Sequence, residues 1–141
     1  MSSSILAPAA VLVAWSMVMF LWVLATRIPA FQKAGVDLAN AEPGGRYADV
    51  ESAMPPRVNW KSHNYTHLME QPTVFYALVC IIAISGGQGT VVMWAWGYTG
   101  FRILHSLWQS LVNTVPVRLL LFLCSNVCLF VLTYQALRLT L

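Results

Sequence analysis

Apolar residues run in four long blocks along this chain, at residues 5–25, 73–84, 91–112 and 117–141. One long polar interval and two short breaks separate them. Each block supplies the roughly 20 residues that cross a hydrocarbon core about 30 Å thick, the second once part of its polar lead-in is counted. The pattern predicts an all-α protein with spans at 5–27, 57–85, 90–112 and 116–140 and a connecting loop over 28–56. Pro55-Pro56 suits the start of the second span and Pro116 that of the fourth, because a proline at the first helical position gives up an N–H that has no partner there anyway. Gly86-Gly87 stops the second span.

Polar positions inside these blocks are ordered. The lead-in at 59–72 runs straight into an apolar helix, and as one helix it would put His63, His67, Glu70 and Val74 on a single face at i, i+4, i+7 and i+11. In the third block, Trp94, Tyr98, Arg102, His105, Gln109 and Asn113 recur in steps of three or four, which is one helical face. Arg102 lies near the middle of that block. An arginine at the bilayer centre costs about 2.5–3.5 kcal/mol on insertion scales, so it is expected inside the bundle with a partner. Glu70 is the acidic residue within the spans, and a buried Glu70–Arg102 pair is the expected solution. Trp15 lies too deep for an interface anchor and is expected between helices.

Composition sharpens this into a single four-span membrane domain over residues 1–141, an integral membrane four-helix bundle. Of the residues 58% are apolar and 9% charged, against about 25% charged in soluble domains. A soluble bundle would need polar outer faces, and the first block offers little beyond Ser16. The net charge of +3, without a basic block, gives no footprint for nucleic acid. Arg27, Lys33, Arg46, Arg57 and Lys61 fall between the first two blocks, whereas the link at 85–90 has no charge. The positive-inside rule then puts the first loop in the cytoplasm and both termini outside, with Arg138 dissenting. The first block exceeds the roughly 7–15 residues of a cleavable signal core, and no retention motif is present, so a bacterial inner membrane is the expected location.

The chemistry is cationic. His63, His67 and Glu70 have a spacing that could serve a metal, but the motif lacks the glutamate that follows the first histidine in zinc hydrolases; hydrogen bonding by both imidazoles is the alternative, and no metal is expected. Cys124 and Cys128 lie four apart without further ligands, and all three cysteines sit at lipid depth, where an apolar setting disfavours the thiolate. Neither a glycine-rich phosphate loop nor a Ser-His-Asp arrangement is present. What remains is Arg57, Lys61, His63, His67 and Arg118 toward the cytoplasm, with Arg102 and His105 deeper. That set suits an anionic ligand from the cytosol and a lipophilic partner from the bilayer. An arginine beside a bound thiol would stabilise the substrate's own thiolate. In the first turn of a membrane helix, Arg118 could equally snorkel to the headgroups.

Glu70-Gln71-Pro72 with Phe75-Tyr76, then Arg102-x-x-His105, then Pro116-x-Arg118 together resemble the MAPEG family, membrane-associated proteins of eicosanoid and glutathione metabolism. The similarity extends over nearly the whole chain. It implies a homotrimer with glutathione, as co-substrate, held between subunits near the cytoplasmic face. It also implies Glu70, Arg102 and His105 as cofactor-binding residues, joined by His63 and His67 in the register of the family's arginine and asparagine, and Arg118 as the catalytic, thiolate-stabilising residue. The family's tyrosines on the third and fourth helices read Gln109 and Phe122 here. The expected function is that of a glutathione-dependent transferase or peroxidase acting on a lipophilic electrophile or hydroperoxide. The alternative is a non-catalytic scaffold or accessory subunit of a larger membrane complex.

Overall fold

The computed structural model describes residues 4–141; Met1–Ser3, the start of the N-terminal segment expected outside, are not among them. Six α-helices follow in order: α1 (Leu6–Ala34), α2 (Tyr47–Val50), α3 (Pro56–Glu70), α4 (Pro72–Ile84), α5 (Thr90–Leu111) and α6 (Val115–Thr140), with a single 3₁₀ turn at Glu51–Ala53. There is no strand among the described residues.

Three helical runs are long and apolar enough to cross a membrane: Leu6–Ala34, Pro56–Ile84 and Val115–Thr140. Four were expected. The 22-residue α5, about 33 Å long at 1.5 Å per residue, falls short in composition because one face holds Arg102, His105, Ser106, Gln109 and Ser110, all buried. Its polar face is turned into the protein, as its helical spacing predicts.

The first helix continues beyond the expected end at residue 27, carrying Pro29 inside it and closing only at Gly35, whose left-handed φ of 67° lets its N–H reach the carbonyl of Gln32. The second apolar run is not one uninterrupted helix. It breaks at Gln71, since Pro72 has no N–H to continue the ladder, and resumes with an i+3 bond from the Val74 N–H to the Gln71 carbonyl at 3.0 Å.

The core lies where these helices meet, around Leu12, Met19, Leu68, Phe75, Tyr98 and Leu132. Phe75 of α4 stacks on Tyr98 of α5 with ring centroids 4.3 Å apart. Helix α5 packs most extensively on α6, and Gly97 permits the approach: a Cβ there would sit 3.2 Å from Cys128 Sγ. A polar joint ties three helices together. Ser106 Oγ of α5 accepts hydrogen bonds from Trp15 Nε1 of α1 at 2.9 Å and from Asn64 Nδ2 of α3 at 2.7 Å. Trp15 is thus an interhelical residue, as its depth suggested. Outward-facing positions such as Leu21, Met93, Val127 and Phe130 are exposed and apolar, the surface a lipid environment requires.

Candidate functional site

Arg102 is fully buried. Its partner is His67, not Glu70: Nη2 donates to His67 Nδ1 at 3.0 Å and to the His67 carbonyl at 3.2 Å. The expected Glu70–Arg102 pair does not form, and Glu70 makes no ion pair among the described residues. The reason is helical phase. Glu70 follows His67 by three residues and is rotated about 60° from it, so when His67 faces α5, Glu70 emerges at the exposed surface. An arginine only donates, so the accepting Nδ1 of His67 is unprotonated and the ring proton sits on Nε2. Nε and Nη1 of Arg102 have no hydrogen-bond partner among the described residues.

His67 then stacks on His105 of α5, with centroids 4.9 Å apart and planes inclined by 23°. Phe122 of α6 closes this group, 5.5 Å from the His67 ring, 6.2 Å from His105 and 6.0 Å from the Arg102 guanidinium carbon. On the outer side of His105 lies a cavity of about 220 Å³ lined by His105, Val115, Arg118, Leu119 and Phe122. Arg118 makes one wall cationic, His105 adds an imidazole, and Val115, Leu119 and Phe122 are apolar. Arg118, in the first turn of α6, donates from Nη1 to Asn113 Oδ1 at 2.7 Å. Nearby, Gln71 at the α3–α4 break donates from Nε2 to Asn126 Oδ1 of α6 at 2.5 Å, pinning the break to the neighbouring helix.

Four expected site residues therefore come together around Phe122: His67, Arg102, His105 and Arg118. Two do not join them. His63 Nε2 lies 2.5 Å from Glu51 Oε1 of the loop, and Glu70 faces outward. His63, His67 and Glu70 consequently point in three directions, and no cluster of three metal-ligating side chains occurs among the described residues.

The loop is itself anchored. Tyr47 OH donates to Asn59 Oδ1 at 2.6 Å, Asn59 Nδ2 donates to the Glu51 carbonyl at 3.0 Å, and the Arg27 guanidinium lies 3.7 Å over the Tyr47 ring while hydrogen-bonding Ser62. Burial pushes the Tyr47 hydroxyl above its ordinary range despite Arg27. Beside it opens a cavity of about 620 Å³ between α1 and the loop.

Asn113, Ser106 and Gln71 matter here more than their sequence context announces. For Asn113 a signal exists: an asparagine just past a helix end is a common left-handed cap. The Ser106 joint and the Gln71–Asn126 bond depend on helix placement and have no local signature.

A family model described as the MAPEG family matches residues 5–138. No match was found among curated proteins or among solved structures.

Proposed function

The chain belongs to the MAPEG family, membrane proteins related to glutathione and eicosanoid metabolism, and from that premise we propose that it is a glutathione-dependent transferase or peroxidase acting on a lipophilic electrophile or hydroperoxide. The observation that carries this reading is the cavity in which Arg118 and His105 face Val115, Leu119 and Phe122. It offers a cation to a thiolate and an apolar wall to a substrate arriving from the bilayer.

In the transferase reaction Arg118 holds the glutathione sulfur as thiolate, lowering the cost of losing its proton. The sulfur lone pair forms a bond to the electrophilic carbon while the leaving group departs with its own pair. With a hydroperoxide the sulfur attacks the terminal oxygen and the O–O bond breaks. The alkoxide takes a proton to become the alcohol, and the sulfenic acid condenses with a second glutathione to give the disulfide and water. His105 borders the same space and is placed to orient the thiol. Arg102 lies behind the two histidine rings and acts through His67.

The remaining contacts to glutathione come, in this proposal, from a second copy. Glu70 is exposed with Thr66 and Val74 on one side of the α3–α4 run, and a carboxylate facing hydrocarbon would be expensive. A head-to-tail ring that closes at three copies would bring this strip against the next copy's cavity. In this proposal the first loop is cytoplasmic, α5 is the third of four spans, both termini are outside, and the membrane is a bacterial inner membrane.

Binding of radiolabelled glutathione to the purified protein tests the reading, together with conjugation assays on Arg118→Ala. Turnover should fall by about 100-fold, the scale of losing one preorganised donor. No saturable binding at millimolar glutathione, or Arg118→Ala turning over as wild type, would sink the proposal. One observation favours the scaffold reading: His63 and His67, in the register of the family's glutathione-contacting arginine and asparagine, are engaged by Glu51 and Arg102 instead. Co-purification with a larger complex, without turnover of model electrophiles, would select it.

A further inference from the structure

Helices α5 and α6 are joined by only Val112, Asn113 and Thr114. Asn113 is the non-glycine residue with positive φ among the described residues, at 58°. Its N–H donates to the Trp108 carbonyl at 2.7 Å, completing the last turn of α5. Trp108 Nε1 in turn donates to Thr114 Oγ1 at 2.9 Å, and the Arg118 N–H reaches the Thr114 carbonyl at 3.2 Å as α6 begins. The backbone of this turn would be served best by glycine, which has no Cβ to strain in the left-handed region. Asparagine tolerates that region as well, but the hydrogen bonds that build the turn leave its side chain free. Its recorded hydrogen bond is the one its Oδ1 accepts from Arg118 Nη1 at 2.7 Å.

We infer that Asn113 is a positioning residue: it aims the Arg118 guanidinium into the cavity shared with His105 and Phe122 and holds it there without neutralising it. The inference rests on the proposed role of Arg118 and adds to it. A free arginine side chain samples many rotamers, and a charge that wanders stabilises a thiolate less than one already in place. A carboxylate at position 113 would hold the guanidinium equally well but would cancel the positive field that the thiolate needs. An amide oxygen supplies an acceptor with no net charge. The groups that share this region with Arg118 are His105 of α5 and, behind it, His67 of α3 and Arg102 of α5. None of them contacts Asn113 in the recorded hydrogen bonds, so changes at 113 reach the thiol through Arg118.

The test compares wild type, Asn113→Gly, Asn113→Asp and Arg118→Ala as full-length protein in detergent or nanodiscs. The readouts are the thermal midpoint, kcat and KM with a lipophilic electrophile, and the pH dependence of the bound thiolate's ultraviolet absorbance. Glycine keeps the turn, so Asn113→Gly should hold the wild-type thermal midpoint and KM for the electrophile. Its kcat should fall by about tenfold, less than a lost donor costs, and the apparent thiol pKa should rise. Asn113→Asp should also fold, since aspartate tolerates left-handed backbone, and should raise the thiol pKa further by offsetting Arg118. Wild-type kcat and pH profile in folded Asn113→Gly would overturn the inference, as would a wild-type thiol pKa in Asn113→Asp should the glycine variant fail to fold. Both leave the parent reading standing if Arg118→Ala still loses turnover. Arg118→Ala behaving as wild type, or no thiolate signal from the wild type, would overturn the parent reading and this inference with it.

Discussion

Arg102 shows how far single residues could be read. Its need for a protein partner follows from charge and depth alone, and the structure places it fully buried with a partner in reach. The identity of the partner was not legible, because choosing between His67 and Glu70 requires the rotational phase of α3 to within about 60°. His67 stands where a resemblance-based reading puts an asparagine, and its Nδ1 together with its carbonyl supplies the guanidinium's recorded bonds. With Nε and Nη1 already unpartnered among the described residues, loss of the imidazole should be felt. His67→Ala is expected to cost about 1–3 kcal/mol, the range for stranding a buried polar group. His67→Asn, which keeps an acceptor, should recover part of it. Thermal midpoints of the purified protein in detergent check this, and an unchanged midpoint in His67→Ala would mean that Arg102 finds another partner.

At the scale of elements, starts and stops were legible where proline or glycine imposes them at the end of a span: Pro56, the Gly86-Gly87 pair and the turn before Pro116 all coincide with helix ends, whereas the break at Pro72 falls inside a span that reads as one helix. The run of α1 past residue 27 was not. Pro29 resembles a boundary in sequence but sits within the helix, at the cost of the backbone hydrogen bond it cannot donate. Helix pairing was equally invisible, because it depends on fits such as Gly97 against Cys128. A β-branched residue at 97 would press on that sulfur, which a Cβ alone already approaches to 3.2 Å. Gly97→Val should therefore destabilise the α5–α6 pair by about 1–3 kcal/mol, the usual cost of overpacking. Adding Cys128→Ala should return much of that loss, and a double-mutant cycle on thermal midpoints with no coupling would show that the contact is not what limits the approach.

For the whole molecule, composition alone announced a membrane protein, and three runs of the required length and apolarity are present. The proposed assembly rests on a strip that one copy leaves uncovered and that carries the charge of Glu70. Thr66, Glu70 and Val74 are exposed on α3 and α4, whereas the exposed positions of α1 and α6 are largely aliphatic. If that strip meets the Arg118 side of a neighbouring copy, cysteines at Glu70 and Leu119 in a background lacking Cys80, Cys124 and Cys128 should cross-link between copies under mild oxidation in native membranes. The expected gel pattern is a ladder that stops at three. A control pair at Leu21 and Leu119 should stay monomeric, and equal cross-linking of both pairs would point to random collision.

The joint at Ser106 also imposes an order in time. Its two donors, Trp15 and Asn64, lie 91 and 42 residues earlier in the chain. During synthesis both emerge before the oxygen that will receive them, and at about 5–20 residues per second Asn64 waits roughly 2–8 s. Until α5 arrives, a membrane-embedded indole N–H and an amide must be satisfied by water, lipid headgroups or the insertion machinery. The first half of the protein is thus made with two polar donors whose acceptor comes later, and the third long helix completes it rather than merely adding to it.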